Sequence, residues 1–189
     1  MASLVGESLA LGTYTVILCK FYGLYAALEE RLSTRVDWDS LQIDFAKRRK
    51  APLLAQDLAV LGIGPDAVEH CSPLPAVSSA GAAMGCFYVL EGATLGGQII
   101  SRNVGRRLGL TPTTGAAFFA SYGKDVDLMW QATLGALALH GARHPDGDEA
   151  VVQGACATFL AFATWLNAAD PCLSSGKGSG SKRGAAMWN

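Results

Sequence analysis

The stretch from Ser79 to Leu110, SAGAAMGCFYVLEGATLGGQIISRNVGRRLGL, limits what this chain can fold into more than any other. Met84, Phe87, Leu90, Leu95 and Ile99 recur at helical spacing, which predicts a helix. Gly85, Gly92, Gly96 and Gly97 lie inside it. A glycine in a helix interior costs about 1 kcal/mol relative to alanine, so four cost on the order of 3–4 kcal/mol. That is a large part of a domain stability of about 5–15 kcal/mol. Something is therefore expected to press against this backbone. Gly92 and Gly96 are four residues apart and clear one stripe of the helix surface. Spacing alone leaves two occupants open, a second helix or a flat ligand.

The wording around the glycines is more specific. YVLEGATLGGQII followed by Arg102 resembles the distal-helix signature of heme oxygenases, especially the bacterial biliverdin-producing branch found beside bacterial phytochromes. FYGLYAALEERL and RRKAPLLAQDLAVLGI are similar to two further conserved segments of that family, and the likeness runs from about Thr13 to Ala169. The resemblance implies a single-domain, all-α, heme oxygenase-like fold. It implies that heme b serves as both substrate and cofactor. Dioxygen, activated with electrons from an external reductase or ferredoxin, then opens the ring oxidatively to biliverdin, carbon monoxide and iron. Gly92, Gly96 and Gly97 take the distal positions, where the backbone comes close to one face of the macrocycle. Tyr88 and Arg102, on the same helix, are the implied hydrogen-bond donor and propionate cation. Glu91 is read as a supporting acid. The implied partners are heme, a ferredoxin or flavin reductase, and a bacterial phytochrome as biliverdin acceptor.

One family element has no counterpart in the sequence. A histidine on the first helix, upstream of the helix at Thr13, ligates the iron in these enzymes, and residues 1–11 contain no histidine. The proximal-histidine helix is therefore expected to be missing. His70, beside Cys71, is the candidate replacement, with Tyr22, Tyr25 and Cys86 left open, since tyrosine and cysteine also hold heme iron. His140 and His144 flank a helix end. The alternative function is an inactive heme-binding or scaffold protein of the same fold.

Composition narrows the class. The 189 residues are half apolar with a formal net charge of -1, long enough to bury a full core and not basic enough for a nucleic-acid surface. Five cysteines with no CxxC pair suit a reduced, cytoplasmic compartment, with all five as packing or surface thiols. The N-terminal residues lack a basic region before their apolar run, so no signal peptide is expected. No run of about twenty apolar residues is evident, so no membrane span is expected.

About seven helices follow from the periodicity. Thr13 is read as the cap of a strong helix through Phe21, Leu28 and Leu32. Residues 41–50 read as helical and end in KRRK, a basic run taken as a solvated face. Pro52 opens the next helix, and Gly62, Gly64 and Pro65 stop it. Short and long helices follow around Phe118, from Asp125 to His140, and from Glu149 to Ala169. Residues 1–170 are read as the domain and 171–189 as a flexible Gly/Ser/Lys tail.

Overall fold

The computed structural model describes residues 2–168, so the reading of a tail at 171–189 lies outside the described residues. Among those residues there are helices and no strands, as expected. The helices are α1 (Ala2–Val5), α2 (Leu11–Ser33), α3 (Phe45–Arg48), α4 (Ala51–Val60), α5 (Ala80–Gly92), α6 (Gly97–Leu108), α7 (Ala117–Ala120), α8 (Val126–Arg143) and α9 (Asp148–Asn167). Single 3₁₀ turns link several of them.

Helix α2 is the spine. Its stripe of Tyr14, Leu18, Phe21, Leu24, Tyr25, Leu28 and Leu32 is buried, as the 3.6-residue period requires. Phe21 and Tyr25 meet Phe118 of α7 and Phe162 of α9 in tilted and edge-on ring contacts with centroids 5.2–6.2 Å apart. Buried hydroxyls along the spine find backbone acceptors. Tyr14 Oη donates to the Gly115 carbonyl at 2.8 Å and Tyr25 Oη to that of Leu90 at 3.3 Å. Lys20 Nζ donates to the Leu166 carbonyl at 2.8 Å, and the Trp165 indole returns a bond to the Lys20 carbonyl at 2.7 Å. These bonds fasten the end of α9 to the middle of α2.

Helix α5 crosses α9 through two glycines. A Cβ on Gly85 would run into the Val151 carbonyl oxygen, and one on Gly154 into that of Ala82. Backbone therefore lies on backbone, a distance only glycine allows. The Ser79 side chain accepts from the Ala82 N–H at 3.1 Å and caps α5.

Several local expectations are corrected. The 79–110 stretch is two α-helices joined by a 3₁₀ turn, Ala93–Gly96, and ends at Gly109 in the left-handed region. Helix α2 begins before Thr13, with Ala10 at the cap position and no side-chain cap. Residues 41–50 hold a 3₁₀ turn and the four-residue α3 instead of one helix. Cys19 is disulfide-bonded, whereas Cys71, Cys86 and Cys156 are free thiols. Two segments, Leu11–Ser33 and Pro145–Asn167, do reach the length and apolarity of a membrane span. The first is the core spine. The second, containing α9, leaves Phe159 and Leu160 57% and 68% exposed.

This packing makes the glycines unequal. Gly85→Ala should lower stability by about 1–3 kcal/mol or more, because the atoms in the way are backbone. Gly96→Ala, with open space around its Cα and helical dihedrals, should leave stability unchanged or raised by up to about 1 kcal/mol. Chemical denaturation of the two variants reads this directly, and equal losses would contradict it. A second prediction concerns His140, a buried side chain whose ring centroid lies 4.8 Å from that of His144. Burial first, and then the neighbouring His144, hold its imidazole below the ordinary value, partly offset by Asp148. Between that lowered value and about 6.5 the unfolded chain binds more protons than the folded one, so stability falls as pH drops through the window. Melting temperatures at pH 7.5 and 5.5 should differ in the wild type and differ less in His140→Gln.

Candidate functional site

The break between α5 and α6 is built by its own residues. The Thr94 hydroxyl donates to the Glu91 carbonyl at 2.7 Å, the Gly97 N–H bonds the Thr94 carbonyl, and the helix tightens to 3₁₀ for one turn. Gly97 then sits on α7. A Cβ there would lie 2.6 Å from the Phe119 carbonyl oxygen. Gln98 Nε2 donates to the Gly123 carbonyl at 2.8 Å.

Gly92, at the break, faces an apolar cavity of about 470 Å³. Phe21 of α2, Tyr88 and Val89 of α5, Leu95 of the turn, Trp130 of α8, and Phe159 and Phe162 of α9 contribute to its walls. A Cβ on Gly92 would meet the Trp130 ring at 3.7 Å, an ordinary contact. Tyr88 and Trp130 lie against each other with centroids 5.2 Å apart. The cavity is of the size that holds small-molecule ligands, with few polar groups in its lining. Two of its apolar lining side chains, Leu95 and Phe159, are themselves exposed.

Under the break lies a buried ionic cluster. Arg48 Nη1 donates to Glu91 Oε2 at 2.5 Å, and Lys50 Nζ to Glu91 Oε1 at 3.1 Å. The Tyr122 hydroxyl bonds both Glu91 oxygens at 2.9 and 3.0 Å and accepts from Lys50 Nζ at 2.6 Å. Arg48 Nη1 also reaches the Met129 carbonyl of α8 at 3.0 Å. Glu29 accepts from the Lys50 and Ala51 N–H groups at 2.6 and 3.2 Å. A carboxylate from α2 thus caps the N-terminus of α4, where the helix dipole favours negative charge. Burial pushes the Glu29 carboxyl up and the Lys50 ammonium down; the N–H bonds to Glu29 and the Glu91 charge beside Lys50 oppose those shifts. Burial, and then Glu91, raise the Tyr122 phenol far above its ordinary value, which keeps it a hydrogen-bond donor.

The expected site residues are therefore divided. Tyr88 and Gly92 line the cavity. Nothing lies within 4 Å of where a Cβ on Gly96 would stand, and Gly97 packs on α7. Arg102 is exposed, donates its Nε to the Gln98 carbonyl at 3.1 Å, and is not among the cavity's lining residues. His70 packs edge-on against Tyr22, centroids 5.9 Å apart, away from the cavity lining. His140 and His144 line a separate depression near Ser79 and Gly81. Tyr25 and Cys86 are buried with backbone partners, Leu90 and Gly154. The KRRK run is not a solvated face: Arg48 and Lys50 are buried on Glu91, while Lys47 stays outside with Asp44. Sequence reasoning also missed Trp130, Phe159 and Phe162. Pro52 held a clue to the cations, since it puts residues 48–50 immediately before the N-terminus of α4.

Glu91→Ala strands two buried cations and should cost about 3–5 kcal/mol. Urea denaturation monitored by circular dichroism measures this; a loss under about 1 kcal/mol would mean that the cluster is solvated.

Comparison with known proteins agrees with this architecture. The family profile described as Heme oxygenase matches residues 1–168. A curated heme oxygenase from Xanthomonas campestris pv. campestris (strain 8004) is 40% identical over 97 residues, which cover 50% of this chain and 54% of that protein. The chain thus spans about half the length of the curated relative that it matches. No solved structure gives a significant match. A match over all of the described residues, with the glycine-bearing helix break inside it, is decisive: the chain belongs to the heme oxygenase family.

Proposed function

We propose that this chain acts on heme as a heme oxygenase, using dioxygen and electrons from a reductase to cleave it to biliverdin, carbon monoxide and iron. The observation that carries the reading is Gly92, a helix break that opens bare backbone onto an apolar, aromatic-lined cavity. A porphyrin face needs such walls, and the match to the family profile supports it as the substrate. The iron and macrocycle supply the oxygen chemistry, while the protein orients them. In this reading Phe21, Phe159 and Phe162 exclude water from the macrocycle and Tyr88 offers a hydroxyl at the cavity wall. Gly96 and Gly97 keep the turn after Gly92 tight. Arg102 serves as a cation for a propionate at the outer edge. A ferredoxin or flavin reductase supplies electrons, and a bacterial phytochrome accepts the biliverdin.

A second reading, heme binding without cleavage, has one observation in its favour. None of the three histidines lines the Gly92 cavity, so its lining offers no imidazole to the iron. In that reading the iron is held by a group outside this lining, or is held too weakly for turnover.

Hemin titration separates the two. The enzyme reading expects a Soret band that saturates, followed by the biliverdin spectrum on adding ascorbate or a ferredoxin system. A Soret band without biliverdin supports the binding protein. Gly92→Leu should remain folded, because only the movable Trp130 ring stands near its Cβ, and should weaken hemin binding at least tenfold by filling the cavity. Unchanged binding in a folded Gly92→Leu protein would place the heme elsewhere.

A further inference from the structure

Gly92 and Trp130, neighbours in the cavity lining, are each one residue away from a partner of the same guanidinium. Glu91 precedes Gly92, and Met129 precedes Trp130. Arg48 Nη1 donates to the Glu91 carboxylate at 2.5 Å and to the Met129 carbonyl at 3.0 Å. Arg48 comes from α3, outside both α5 and α8, and it is buried, as is Glu91. Its guanidinium also lies near the Phe87 and Tyr122 rings, 6.0 and 5.7 Å from their centroids, which limits its freedom to turn. Lys50 and Tyr122 hold the remaining lone pairs of Glu91, so the carboxylate cannot swing to follow a moving α5. The Met129 carbonyl is further engaged by the Thr133 hydroxyl at 3.0 Å. The bridge therefore fixes the end of α5 and the start of α8 relative to each other. How closely the Trp130 ring stands against Gly92 is what that spacing sets.

We infer that the Glu91–Arg48–Met129 bridge is a positioning element that sets how closely Gly92 and Trp130 can flank a flat ligand. It rests on the reading that this cavity takes heme. None of the three groups is in the cavity lining, so their effect is exerted through Gly92 and Trp130. Glu29 is the internal control. It is as deeply buried and also touches Lys50, but it caps α4 and has no bond to Arg48 or Met129.

The experiment compares Glu91→Gln with Glu29→Gln. Glutamine preserves shape and one acceptor, so both proteins should fold with reduced stability. In hemin-free protein, amide hydrogen exchange in residues 92–97 and 126–133 should quicken together in Glu91→Gln and stay at wild-type rates in Glu29→Gln. With hemin added, Glu91→Gln should bind about tenfold more weakly and show a displaced Soret band. Folded Glu29→Gln should bind with wild-type affinity and spectrum. Wild-type exchange in both segments of Glu91→Gln, or the same changes in Glu29→Gln, would overturn the proposal. Failure of the wild type to take up hemin would sink the heme reading alone, because the exchange comparison decides the positioning role without it.

Discussion

Four buried charges at the junction of α2, α3, α4 and α5 hold the architecture in register. Arg48 and Lys50 face Glu91, while Glu29 takes the Lys50 N–H and an ion pair at 3.5 Å from the half-buried Arg49. Each of these ions would be costly alone in the interior, and pairing is what makes their burial tolerable. Apolar residues of similar size could stabilise such a junction as well or better. What they could not do is choose a single arrangement. Glu91 takes bonds from three side chains on two other segments, and Glu29 caps a helix to which it is not covalently close. Asp57 repeats the device one step on, receiving the Ala117 and Phe118 N–H groups at 2.7 and 2.8 Å and starting α7. Carboxylates from one helix thus fix where the next begins.

Three of the four glycines divide between the two uses that their spacing allowed, and Gly96 takes neither. Gly85 and Gly97 let backbone lie on backbone, against α9 and α7. Gly92 is the one of the four whose Cα faces the aromatic cavity. The cost of glycine in a helix is therefore offset twice, once by close packing and once by an opening. The break falls between these uses, where Glu91 is anchored inward and Gly92 faces outward.

Much of the fold was legible because helical periodicity is local. The stripe of α2, the Pro52 start of α4 and the long helices α8 and α9 lie close to where the apolar repeats put them. The organising role of residues 79–110 and the wording around Gly92 were legible too. The charge cluster was not, because Arg48 and Glu91 are 43 residues apart and nothing near either one marks its partner. A run of KRRK looks like solvated charge until the fold supplies buried carboxylates. Trp130 and Phe159 carried helical periodicity alone and Phe162 carried no signal; only the packing of α8 and α9 beside α5 turns them into cavity walls. Arg102 was an inference by distance along a helix, and the break at Ala93–Gly96 alters which way that helix presents it.

The most direct test of the central claim is a crystal structure of the hemin complex. The account expects the macrocycle in the cavity, with one face against the Gly92 backbone, Trp130 displaced to its edge, and the Arg48–Glu91 bridge intact. A macrocycle bound elsewhere, such as the depression lined by His140 and His144, with Trp130 still covering Gly92, would contradict it.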